Sequence, residues 1–244
     1  MASERRSIVR NVKNSQMNIA SLKYVQVGKG RLGRVIANRV KQTAVFAKID
    51  ADLGLQIPAF SEQKYVIENL VICISPSTKN SWDWADILKG ILQQVLIGQL
   101  KINRLIFISS TRVYEGIERG IVDATTQAIS KTSKGVSLLA AEKIVAQIAQ
   151  QYHILRCSGL YGEGYKKYLS ILSQCKKEQT RFAVSIEQVA DEVVGKLAQA
   201  TSEPSSCTLL TDGYCYFQGD KMLIQEAMLL SLQHKIFKAS CTEL

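Results

Sequence analysis

Residues 22–40 read LKYVQVGKGRLGRVIANRV. Leu22 to Val27 has the apolar character of a buried strand, and Leu32, Val35, Ile36 and Val40 then recur at helical spacing. Between the two lie Gly28, Gly30 and Gly33, a G-x-G-x-x-G placed where a strand turns into a helix. In that setting the first glycine permits a tight turn, the second lets a pyrophosphate approach the backbone, and the third lets the helix pack on the strand. The amides of the first helical turn, Arg31 and Leu32 among them, then face an anion. Gly28, Gly30, Arg31, Leu32 and Gly33 are therefore the candidate dinucleotide contacts.

Working outward, TAVFAKID reads as a second strand ending at Asp50, 17 residues after Gly33. That is close to the usual place of the acid that binds the adenosine ribose and repels a 2′-phosphate. Arg31, Arg34 and Lys48 carry the opposite charge and suit that phosphate, so NAD and NADP both stand as cofactors. NLVICISPS supplies a third strand, with Ser75 just beyond it as a further cofactor contact. WADILKGILQQVLIGQL and SLLAAEKIVAQIAQQY read as helices, RLIFISS as a strand, and HILRCSGLYGEGY as a strand running into a loop. Strands alternating with helices predict a doubly wound parallel sheet covered on both faces. The expected organisation is a basic tail at 1–17, a dinucleotide-binding domain at 18–164, and a small C-terminal region at 165–244 that completes the fold.

Four stretches, VGKGRLG, LIFISSTRVYEG, SLLAAEKIV and LRCSGLYGEG, occur in an order that resembles the extended and atypical short-chain dehydrogenase/reductases of the NAD-dependent epimerase/dehydratase type. The resemblance implies a Rossmann domain with a small C-terminal substrate region, an NAD(P) cofactor and a small-molecule substrate over the nicotinamide. It also implies a catalytic Ser or Thr together with a Y-x-x-x-K pair, in which the lysine tunes the tyrosine as an acid–base group. The hydroxyl falls at Ser110, with Thr111 beside it, but the tyrosine and lysine positions hold Lys134 and Leu138. None of the nine tyrosines has a lysine four residues later, so the pair is missing in every register. Substitutes for the phenol are Lys134, if burial were to tune its ammonium, and Tyr114 or Tyr161 at strand ends. Trp82 and Trp84, in STKNSWDW, either cover the pocket or pack in the core. The Asp-rich segment that the resemblance leads one to expect after the last common strand reads VSIEQVA, residues 184–190, without aspartate.

Composition narrows the functions. The chain has 244 residues, 46% of them hydrophobic, and no apolar run long enough for a membrane span. The opening MASERRSIVRNVKNSQ has no apolar centre and so is not a secretory signal; a basic tail and a transit segment both fit it. Six scattered cysteines without a C-x-x-C pair suit packed thiols in the cytoplasm, and two histidines at no ligand spacing argue against a metal. The net charge of +10 is spread along the chain, which disfavours nucleic acid and suits attraction of an anionic ligand. Three functions follow. The leading one is an NAD(P)-binding protein of this epimerase/dehydratase kind, whether or not it acts as an oxidoreductase or epimerase with altered acid–base residues; the others are a non-catalytic Rossmann protein with a sensing or structural role, and a nucleic-acid-associated basic protein. The apolar character of the two central helices, which pair across a two-fold axis in the family, predicts a homodimer.

Overall fold

The computed structural model describes residues 19–50, 52–58, 64–74, 83–117, 121–122, 125–162, 181–200, 202–211, 214–217, 220–223 and 240–241. The expected basic tail, Ser75 and Trp82 lie outside them.

Strand β1 (Ile19–Val27) leads into helix α1 (Arg31–Arg39) and then into β2 (Val45–Asp50) at its side. A short return, β3 (Gly54–Gln56), pairs antiparallel with β2 and closes that edge. The chain then crosses over to place β4 (Lys64–Ile72) on the other flank of β1, parallel to it. Helix α2 (Trp84–Leu96), β5 (Leu100–Ser110), helix α3 (Ser133–Ile148) and β7 (Ala149–Cys157) extend the sheet outward. Helix α4 (Ile186–Ala198) and β10 (Ser206–Leu210) complete it, giving the order β10-β7-β5-β4-β1-β2-β3. All its pairings except β2 with β3 are parallel. This is the expected doubly wound sheet, and the strand order reverses between β1 and β4. In open sheets of this kind ligands bind outside the carboxyl ends of the strands at such a reversal.

The alternation of β5 explains the two cores. Leu105 and Phe107 join a cluster with Leu88 and Ile91 of α2 and Leu138, Ala141, Val145 and Ile148 of α3. Ile106 and Ile108 point the other way, onto Leu32 and Ile36 of α1 and Val189, Ala190 and Val193 of α4. A strand apolar on both sides is what a sheet buried on both faces requires.

Two element boundaries differ from the sequence reading. Helix α2 stops at Leu96, because Gly98 takes a positive φ of 70° that lets the chain leave the helix. Helix α3 begins at Ser133, capped by Thr132, and ends at Ile148, so that Ala149 to Tyr152 belong to β7. Pairing with β5 claims those residues: Ala149 stands opposite Ile102, and Gln151 opposite Arg104.

The segment that leaves α4 is anchored from the sheet. Buried Arg104 donates to the carbonyls of Leu197 and Gln199 at 2.9 and 2.6 Å. Gln151 donates to those of Ala200 and Glu203 at 3.3 and 2.7 Å. Beyond β7 the chain also forms a four-stranded sheet, ordered β12-β11-β9-β8, from β8 (Gly159–Tyr161), β9 (Arg181–Ser185), β11 (Tyr214–Phe217) and β12 (Asp220–Leu223). A two-residue pairing joins β6 (Ile121–Val122) to β13 (Ser240–Cys241). Among the described residues no helix is long and apolar enough to cross a membrane.

Candidate functional site

The carboxyl end of β1 opens into the glycine turn, and each glycine meets a different physical demand. Gly28 has φ of 112°, and a side chain there would come within 2.5 Å of the Cys73 carbonyl oxygen at the end of β4. At Gly33 an added Cβ would come within 2.2 Å of the Gly28 carbonyl oxygen, so the first turn of α1 can rest on the loop only without a side chain. Gly30 is different: an added Cβ would have nothing within 4 Å. It is the N-cap of α1, and no side chain caps that end of the helix. The start of α1 therefore opens onto space at Gly30, the setting in which a helix N-terminus receives an anion.

The side chains around this turn separate in function. Leu32 is buried in the core, which leaves its backbone amide as the group that can face a ligand. Arg31, Arg34 and Lys48 are exposed. Lys29 places its ammonium 4.5 Å from the centre of the Phe46 ring. Asp50 ends β2 as expected, but its Oδ1 accepts the amides of Asp52 and Leu53, both at 3.0 Å, and so shapes the turn into β3. Gln26 is fully buried below the glycines. Its amide donates to the carbonyls of Gly28 and Gly33 at 2.8 and 2.7 Å.

At the end of β5 the paired serines face different partners. Ser109 is buried and donates to Glu142 Oε1 at 2.6 Å. Glu142 in turn receives Arg156 at both oxygens, Nε to Oε1 at 3.1 Å and Nη2 to Oε2 at 2.7 Å. Arg156 also donates to the Tyr114 hydroxyl at 2.6 Å and lies 5.1 Å from that ring's centre. Ser110 remains half-buried at the rim, where its Oγ accepts the Arg112 amide at 3.4 Å and starts the short 3-10 turn Thr111–Tyr114. Thr111 beside it is half-buried too.

Residues 99–202 match the family model described as RmlD substrate binding domain. No curated protein matches the chain. A protein of Methylobacillus flagellatus assigned as an NAD-dependent epimerase/dehydratase superposes with a TM-score of 0.62 at 20% identity, covering 91% of this chain and 89% of its own. A dTDP-4-dehydrorhamnose reductase of Clostridium acetobutylicum gives 0.58 at 17%, covering 91% and 84%. MoeE5, solved with UDP-glucuronic acid and NAD, gives 0.57 at 14%, covering 91% and 85%. The Rossmann fold is therefore shared, and the resemblance read from the sequence to the epimerase/dehydratase type is borne out.

Within the RmlD-like stretch, α3 carries Lys134 and Leu138, to which the resemblance assigned the missing pair. Lys134 is exposed, outside the buried setting that its role as a substitute required. Leu138, at the lysine position, is only 2% exposed and packs in the core. Tyr114 is 3% exposed and its hydroxyl faces Arg156 in the interior, so it does not line an open site. Tyr161 lies half-buried in β8. Trp84 packs edge-on against Phe107 with ring centres 5.3 Å apart, which places it with the core rather than over a pocket. Sequence reading missed Gln26, Glu142 and Arg156. A glutamine inside the apolar run YVQV, and a glutamate one helical turn beyond Leu138, were the available signals.

Proposed function

We propose that this chain binds NAD or NADP across the carboxyl edge of its seven-stranded sheet, and does so without the acid–base pair that drives turnover in the short-chain dehydrogenase/reductases. The observation that carries the reading is the open position at Gly30, in front of the uncapped first turn of α1, beside the reversal of strand order. Gly30 and the amides of Arg31, Leu32 and Gly33 hold the pyrophosphate, and Gly28 shapes the turn. Asp50 meets the adenosine ribose with its remaining carboxylate oxygen. Exposed Arg34 and Lys48, with Arg31, supply positive charge for a 2′-phosphate, so both dinucleotides are expected to bind. A bound nicotinamide supplies or accepts hydride; nothing on α3 supplies the accompanying proton transfer.

A second reading keeps an enzyme. Ser110 and Thr111 stand at the rim, and the long contact to Ser110 leaves its hydroxyl able to turn to a small-molecule substrate oxygen. Titration with NAD and NADP, followed by turnover assays on UDP-glucose and UDP-glucuronic acid, separates the two. Binding with turnover at least about 10²-fold below an ordinary ~10 s⁻¹ supports the first. Turnover near that rate, lost in Ser110→Ala, establishes the second.

A further inference from the structure

We infer that Gln26 is a positioning residue for the dinucleotide: its buried amide ties the two ends of the glycine turn together and fixes the amides that receive the pyrophosphate. This rests on the reading of the turn as a dinucleotide site and goes beyond it, because Gln26 touches no ligand.

The geometry is specific. One side-chain nitrogen donates to the Gly28 carbonyl, before the helix, and to the Gly33 carbonyl, within its first turns, at 2.8 and 2.7 Å. These two acceptors are the ends of the segment that opens onto the free space at Gly30. Holding both from beneath sets the span of that segment before any ligand arrives. It also engages two carbonyl oxygens whose partial negative charge would oppose a pyrophosphate. A site held in its bound geometry avoids the ordering cost of binding.

Only one orientation of the amide serves this purpose, and Tyr24 selects it. The Tyr24 hydroxyl donates to Gln26 Oε1 at 2.5 Å, which leaves the NH₂ group facing the carbonyls. Tyr24 is buried; that burial, with a smaller push from Cys73, holds its phenol well above the ordinary range, so it remains a donor. Cys73 adds a second support, its thiol lying 3.3 Å from the Val27 carbonyl oxygen and 3.6 Å from that of Gly28. A polar side chain with every hydrogen-bonding group engaged rigidifies its surroundings, whereas a half-satisfied one would loosen them.

The test uses the full chain and NAD and NADP as probes. Gln26→Met preserves length and volume but removes both donors; Tyr24→Phe leaves the donors and removes only the constraint on the flip. Calorimetric titration should show affinity weakened about tenfold or more in Gln26→Met and less in Tyr24→Phe. Hydrogen exchange without ligand should be faster at the amides of residues 30–33 in Gln26→Met, with the rest of the sheet protected as before. A purely structural role would lower the melting temperature and leave the affinity of the folded protein unchanged; that result overturns the inference alone. Wild-type protein that binds neither dinucleotide overturns both the inference and the reading beneath it.

Discussion

An alanine at Gly33 and a valine at Gly30 are expected to fail in opposite ways. At Gly33 the new methyl would press on the Gly28 carbonyl oxygen at 2.2 Å, a backbone atom that cannot turn aside as a flexible side chain could. We predict that Gly33→Ala destabilises the fold by about 1–3 kcal/mol, the scale of an overpacked site, seen as a lower midpoint in urea. At Gly30 the side chain enters open space, and the φ of −65° suits any residue. Gly30→Val should therefore keep its melting temperature and lose dinucleotide binding. If the melting temperature fell as far as for Gly33→Ala, Gly30 would be a packing glycine and the open space would have no ligand. The motif itself was legible in the sequence because glycine positions report backbone geometry directly. The partners that make the geometry necessary, such as Cys73, come from a distant strand and left no local mark.

Helix α3 shows where reading by element stops. Its helical character was legible, and Lys134 and Leu138 both lie on it. The structure adds that these positions differ in environment, one exposed and the other in the core. Restoring the family pair with Lys134→Tyr and Leu138→Lys is thus predicted to give no good enzyme and a less stable protein, because an ammonium at Leu138 must leave water or pull itself out of the core. Thermal melting and a turnover assay on UDP-glucose check this; turnover near ~10 s⁻¹ from the double variant would refute it. Four residues beyond Leu138, Glu142 holds Ser109 and Arg156 in a buried network that no periodicity could reveal, since it joins β5, α3 and β7. Removing one member of a buried ion pair typically costs about 3–5 kcal/mol, so Glu142→Ala is expected to fall in that range by denaturant unfolding. A loss under about 1 kcal/mol, the value of a surface pair, would mean that water reaches the network.

On the scale of the whole molecule, the alternation of strands and helices was legible because both faces of the sheet are covered and its central strands are largely apolar. The polar residues inside that sheet were not, since their partners lie far along the chain. His153 is one: buried in β7, with Nδ1 2.8 Å from Ser206 Oγ. Burial, reinforced by Lys196 and Arg104, pulls its pKa down to about 4. The unfolded chain, with an ordinary histidine pKa of about 6.5, binds a proton that the native state refuses. Stability from this residue is complete above about pH 6.5 and is lost as pH falls toward 4, by the linkage of protonation to folding. His153→Gln should flatten the melting temperature over that window, and a pH profile unchanged from wild type would contradict this. Leu96 at the end of α2, Ile97 just beyond it and Val136 in the first turn of α3 are exposed and leave apolar surface on this side of the sheet. We expect it to be covered by a second copy of the chain. Light scattering at tens of micromolar should give a dimer mass; a clean monomer would set that expectation aside.

The central claim is that the strand-to-helix turn at residues 28–33 holds a dinucleotide. A calorimetric titration of the folded protein with NAD and NADP, run beside Gly30→Val, tests it most directly. The account predicts saturable one-to-one binding that the valine abolishes while both proteins melt alike. Binding that survives the valine, or no binding to the wild type, would contradict it.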